Sequence, residues 1–329
     1  MKENNCEIIV EYPKKHYYKY SNTIKKPRNY IPRNPPFELN DINTLLKFAK
    51  SYQKDTFILN HYHLRKIKKP LEKINNIVGL EKFKEEIFNL IIYLLLYHEK
   101  GDLLHIVLEG PPGTGKTKIA EILAELYSCL GHLRLGHIVK AKRTDFIGPF
   151  LGQTSDRTNK LIEKAKGGVL LIDEAYQLGN PGNKDSYSKE CLDILNQALT
   201  ENKDEFICII AGYKDSLENS FFSVNPGLKR RFPYKFTLDK YTTKELQNIF
   251  QLMCSENGWT CDIFDIPNDL EFQENGGDME KMFHFAKINH TRRVINATNF
   301  KRKHLTKDDI EKTYSFFKKE SYKNEYMYL

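Results

Sequence analysis

The run Gly110-Pro111-Pro112-Gly113-Thr114-Gly115-Lys116-Thr117 has the spacing G-x-x-x-x-G-K-[ST]. Before it, His105-Ile106-Val107-Leu108-Glu109 is a short apolar run that reads as a buried parallel strand. After it, Lys118 to Leu126 repeats apolar residues at helical spacing. Strand, glycine-rich loop and helix together are the setting in which this spacing forms a phosphate-binding loop.

The residue types suit that chemistry. A triphosphate needs many donors and no side chain in the way. Gly113 and Gly115 let the backbone curl so that its N–H groups point at phosphate oxygens. The helix starting near Lys116 adds its positive N-terminal end. Lys116 is expected to reach the β/γ-phosphates of ATP, and the Thr117 hydroxyl to hold Mg²⁺. Pro112, Gly113, Thr114, Gly115, Lys116, Thr117 and Lys118 are thus the expected cofactor contacts. The turn Ile77-Val78-Gly79-Leu80 is suited to hold the adenine ring, which adds Val78 and Gly79.

Downstream, strand and helix patterns alternate. Strands are expected at His137–Ala141, Gly168–Ala175, Phe206–Gly212 and Tyr234–Leu238, with helices over Ser155–Lys166 and Ser188–Glu201. With the strand before the loop this is an α/β fold, a five-stranded parallel sheet sandwiched by helices. Ligands of such sheets bind at the carboxyl ends of the strands. There Leu170-Leu171-Ile172 runs into Asp173-Glu174. Asp173 is the expected organiser of Mg²⁺, and Glu174 the base that deprotonates the attacking water. Arg230 and Arg231, before the last strand, suit stabilisation of charge on a transferring phosphoryl group.

Net charge is +8, but residues 1–70 hold 15 basic against 6 acidic residues and the remainder 36 against 37. The basic character therefore belongs to an N-terminal extension, 1–70, partly helical or disordered. Its Lys14-Lys15-His16-Tyr17-Tyr18-Lys19-Tyr20 can hold nucleic acid by phosphate contact and stacking, or serve as a solvated protein-docking arm. A helix is expected over Leu39–Tyr52 with Asp41 as its cap. The longest apolar run, Ile87–Tyr97, is too short for a bilayer, so no membrane association is expected. The N-terminus lacks an apolar signal segment. Six cysteines without a C-x-x-C spacing read as free thiols in a reducing compartment, the cytoplasm, with the nucleus as alternative. His61 and His63 would share a face on a strand, but no second ligand pair accompanies them. Past Asp239 only helical patterns follow: a capping box at Thr242–Glu245, then Met279, Met282, Phe283 and Ala286, then a helix capped by Thr306. Residues 239–329 thus read as a small helical lid domain after a large nucleotide-binding domain, 71–238.

Taken together, Ile77-Val78-Gly79-Leu80, the loop at 110–117, Phe150-Leu151-Gly152-Gln153-Thr154, Gly167 to Tyr176, Ala211-Gly212-Tyr213 and Asn225-Pro226-Gly227-Leu228 resemble the AAA+ ATPases. The resemblance points to their rubisco-activase-like and sporulation-stage-V-protein-K branch and covers about 71–315. It implies a Mg-ATP-hydrolysing motor that remodels or threads a protein client through a homo-oligomeric, hexameric ring. The alternatives are action on nucleic acid through the extension, or a slowly hydrolysing nucleotide-switched scaffold. The resemblance also implies that Arg231, with Arg230 the runner-up, reaches a neighbour's site. Phe150-Leu151-Gly152 is similar to the pore-loop triplet. Two positions depart from the wider pattern. Tyr213 stands where many relatives carry Asn or Thr, and Glu280 where they carry a lid arginine, with Lys281, Arg292 and Arg293 as candidate substitutes.

Overall fold

In the computed structural model, residues 38–51, 61–97, 101–150, 152–179, 185–267, 269–295, 297 and 301–326 are described. The basic tyrosine stretch at 14–20, Leu151 and the side chain of His61 lie outside them. By packing, the described residues divide into two compact units, one within 1–77, 81–109 and 116–237, the other within 78–80, 110–115 and 238–329.

The first unit is built on five parallel strands in the order β2-β3-β4-β1-β5: β1 (Ile106–Glu109), β2 (Ile138–Ala141), β3 (Val169–Ile172), β4 (Ile207–Gly212) and β5 (Tyr234–Thr237). The apolar runs explain the order. Every residue of β1, β3 and β4 is buried, as strands covered on both faces require, whereas β2 and β5, at the edges, are only partly buried. Helices α1 (Ile42–Ser51), α2 (His61–Lys66), α3 (Lys68–Asn75) and α4 (Glu81–Leu96) precede β1. The phosphate loop feeds α5 (Lys116–Cys129), and α6 (Arg143–Phe146) and α7 (Gln153–Ala165) lie between β2 and β3. A 3-10 turn, Ala175–Leu178, and α8 (Ser186–Glu201) follow β3. Between β4 and β5 comes an irregular helical run: α9 (Lys214–Ser216), a π turn (Leu217–Phe221), α10 (Phe222–Val224) and α11 (Pro226–Lys229).

Cys208 and Ile210 of β4 join one core cluster with Leu161 and Ile162 of α7 and Leu192 and Leu195 of α8. The residues between them, Ile209 and Ala211, are equally buried and alternate to the other face. There α5 packs on β4 and α4 on β5, with Phe83 edge-on to Phe236 at 5.4 Å. Asp41 caps α1, accepting from the Thr44 N–H at 2.7 Å, and the expected face Ile42, Leu45, Leu46 and Ala49 is buried. His61 and His63 start a helix and not a strand, so they do not share a face; His63 Nδ1 lies 3.1 Å from the Cys129 carbonyl oxygen.

The second unit carries α12 (Thr243–Glu256), α13 (Gly276–Val294) and α14 (Lys307–Tyr326) around Phe250, Phe264, Met282, Phe283 and Ile310. The Thr242–Glu245 capping box forms. The expectation of helix alone is corrected by a two-stranded parallel sheet, β6 (Thr260–Cys261) with β7 (His304–Leu305). Two-residue strands are too short to show an alternating pattern. Buried Asp309 receives Arg293 at 3.0 and 2.8 Å and the Thr306 N–H at 3.0 Å. Burial alone would raise its carboxyl, but Arg293 and Thr306 prevail and hold it below the usual range. Among the described residues no helix is long and apolar enough to cross a membrane.

Candidate active site

Lys116 is the first residue of α5, and Asp173 and Glu174 follow the last residue of β3. The fold brings these sequence-distant groups into one electrostatic neighbourhood. Burial presses the Lys116 ammonium below the ordinary lysine range, while Glu174 and Asp173 pull it back up. Its Nζ lies 5.5 Å from the centre of the Tyr213 ring, at the end of β4. The Tyr213 position thus faces the lysine with an aromatic ring in place of the Asn or Thr expected from the wider pattern.

Glu174 takes the left-handed backbone conformation, φ 53°, which turns the chain sharply after the strand. Asp173 Oδ1 accepts the Glu174 N–H at 3.1 Å. The Tyr176 hydroxyl donates to Glu174 Oε2. Burial, and then this carboxylate, push the Tyr176 phenol up to about 12. Its ring stands 5.7 Å from that of Tyr213, and Ser220 Oγ donates to its carbonyl at 2.6 Å. Arg143 holds the next turn residue, donating to the Gln177 carbonyl at 2.8 Å and to Ser188 Oγ at 2.7 Å while pairing with Asp185. Gly212 packs closely here, since an added Cβ would lie 3.1 Å from both Tyr176 and Leu217. Reading the sequence did not single out Tyr176 or Arg143; the signal for Tyr176 was its place two residues past Glu174.

The loop fits a bound nucleotide. Gly115 combines φ 89° with open space, since nothing described lies within 4 Å of where its Cβ would stand. Thr114 is buried, and its hydroxyl tightens the loop by donating to the Pro111 carbonyl at 2.9 Å. A buried cation, the Thr117 hydroxyl and two carboxylates form a donor set that suits a magnesium-bound polyphosphate. Lys118 is exposed on α5. Val78 and Gly79 belong to the same compact unit as residues 110–115. Gly79 has φ 64°, and an added Cβ would meet the Glu245 side chain at 2.2 Å.

The other candidates are more open. Arg231 Nε donates to Thr200 Oγ1 at 3.1 Å and a terminal nitrogen to the Gly227 carbonyl at 3.2 Å. Arg230 is exposed. Phe150 is 67% exposed, and Gly152, φ 79°, opens α7. In the second unit Glu280 is exposed on α13, while Lys281 pairs with Glu274 at 3.1 Å and Arg293 is taken up by Asp309. Among the residues there that hydrogen-bond to the phosphate loop are Asn275, Gly276 and Tyr241, none of which reading the sequence picked out.

The model of the ATPase family associated with various cellular activities (AAA) matches residues 106–239. A cfxQ-like protein of Acanthamoeba polyphaga mimivirus is 37% identical over 244 residues, 71% of this chain and 60% of that protein. Protein CbxX of Cupriavidus necator is 33% identical over 241 residues, 71% of this chain and 75% of that protein. Stage V sporulation protein K of Bacillus subtilis is 35% identical over 199 residues, 58% of this chain and 61% of that protein. The match therefore spans about three fifths of the length of two of these relatives. A Thermotoga maritima RuvB mutant shares the fold, with a TM-score of 0.54 and 20% identity over 74% of this chain and 71% of that one. On the family match and these identities, the chain belongs to the AAA ATPases, in the branch of the CbbX/CfxQ proteins and stage V sporulation protein K.

Proposed function

We propose that this chain hydrolyses ATP with Mg²⁺ and that a ring of its copies, a hexamer, uses the energy to remodel a protein client. Lys116 neutralises charge on the β/γ-phosphates, and Thr117 and Asp173 hold the metal, which supplies further neutralisation when bound. Tyr176 occupies Glu174 Oε2, which leaves Oε1 to accept the proton of the attacking water. An arginine of the neighbouring subunit, Arg231 before Arg230, completes the site.

The observation that favours work on a protein is Phe150. It is a large aromatic at 67% exposure, followed two residues later by a glycine that opens α7. Its ring is left largely unpacked by its own subunit, which makes it available to grip a client. The excess positive charge of residues 1–70 supports a second reading, action on nucleic acid, which predicts binding that weakens steeply with salt and is lost without that segment.

The test is Glu174→Gln. It should retain ATP and turn it over about 10²–10⁴-fold more slowly, and the ATP-loaded variant should hold its client long enough for capture. Turnover at the wild-type rate would remove Glu174 from the chemistry and sink the proposed mechanism.

A further inference from the structure

A trans peptide unit points its C=O and its N–H in opposite directions. Whatever holds the carbonyl of residue i therefore aims the N–H of residue i+1. In the second compact unit, three successive carbonyls of the phosphate loop are held from behind. The Pro112 oxygen accepts from Asn275 Nδ2 at 3.0 Å, the Gly113 oxygen from the Gly276 N–H at 3.1 Å, and the Thr114 oxygen from the Tyr241 hydroxyl at 3.1 Å. The N–H groups on the far side of those peptide planes belong to Gly113, Thr114 and Gly115. These are the amides expected to face phosphate oxygens.

The holding residues are themselves locked. Asn275 is 2% exposed, and its Oδ1 accepts the Tyr241 N–H at 3.2 Å, so both ends of its amide are used. Its backbone sits at φ 48°, ψ −111°, a costly conformation for a residue with a side chain. The Glu274 N–H is tied to Asp278 Oδ2 at 2.6 Å. The fit against the loop is close, since a Cβ on Gly113 would fall 1.8 Å from the Glu274 carbonyl oxygen. Burial, and then Glu245, push the Tyr241 phenol up to about 12, so it remains a donor at neutral pH.

We propose that Asn275 and Tyr241, with the Gly276 amide, are positioning residues that preset the phosphate-loop amides and thereby set nucleotide affinity from the C-terminal unit. The inference rests on the nucleotide-binding reading above. Neither residue touches the reacting atoms, so losing one misdirects donors without removing chemistry. Because linkage is reciprocal, a nucleotide that needs aligned amides also stabilises the start of α13.

Two variants keep the fold and lose the contact. Tyr241→Phe keeps the ring and deletes the hydroxyl. Asn275→Gly deletes the amide and suits the backbone conformation. Titrating full-length protein with Mg-ADP should give a Kd raised roughly three- to tenfold by each, the worth of one hydrogen bond. The KM for ATP should rise in step while kcat stays within about twofold. A purely structural role would lower the melting temperature of the nucleotide-free protein and leave the Kd alone. Both variants binding Mg-ADP within about 1.5-fold of wild type would overturn the inference and leave the functional reading standing. Wild-type protein that ignores Mg-ADP would overturn the reading and the inference with it.

Discussion

The ends of β3 and β5 in the first unit handle charge in opposite ways. Beyond β3, Glu174 is held by Tyr176, the following turn is held by Ser220 and Arg143, and Lys116 balances burial against two carboxylates. Before β5, Arg231 meets only neutral oxygens, those of Thr200 and Gly227, among the described residues, and Arg230 is exposed. A guanidinium held at fixed geometry by neutral oxygens keeps its full positive charge. The difference suggests that a closed cluster can hold its nucleotide alone, and that the open one is completed by another molecule.

The contrast breaks most visibly at Arg231. If its charge serves a neighbouring site, Arg231→Ala should lower kcat by about 10³–10⁵, and Arg230→Ala by much less. Wild-type activity per subunit should fall as the protein is diluted. A specific activity that stays flat down to the monomer would mean that the β3 side is sufficient and that the arginines are surface charge.

Phe150 sharpens the same contrast with a smaller effect on catalysis. Like Arg230 it is exposed, but it is apolar and lies on the segment between α6 and α7. Phe150→Ala should leave ATPase turnover within about twofold of wild type and abolish work on the client. Undiminished client remodelling by this variant would dismiss the pore-loop role.

Local patterns made much of this readable in advance. The phosphate loop is one contiguous run, and Asp173-Glu174 closes an apolar strand, so each is visible without knowing what it touches. The central strands β1, β3 and β4 were legible because burial on both faces leaves unbroken apolar runs. What stayed hidden depends on pairs far apart in the chain. Asn275 meets Pro112, and Tyr241 meets Thr114, across more than a hundred residues. β6 and β7 are two-residue strands separated by more than forty. The run between β4 and β5 passes through a π turn of five residues, too short to show a period.

The last and smallest effect concerns what lies beneath the arginines. His105, fully buried, accepts the Cys208 N–H at Nδ1 (3.0 Å), which places its proton on Nε2, 2.9 Å from the Leu199 carbonyl. Leu199 precedes the Thr200 that receives Arg231, so the end of α8 is held from inside by His105 and from outside by Arg231. Burial pushes the imidazole down to about 4 from an ordinary 6.5, although its bond to Leu199 works the other way. Between those values the unfolded chain binds the extra proton and the folded one does not, so stability rises with pH across that window. The contribution is complete above about pH 6.5 and is lost as pH falls toward 4. By pH 5 the loss should be roughly 2 kcal/mol. His105→Gln can donate to Leu199 and accept from Cys208 without titrating, so its denaturant midpoint should change less between pH 7 and pH 5 than that of wild type. Equal pH slopes for the two proteins would show that His105 is protonated in the fold, and that the end of α8 beneath the arginines is wetter than its burial implies.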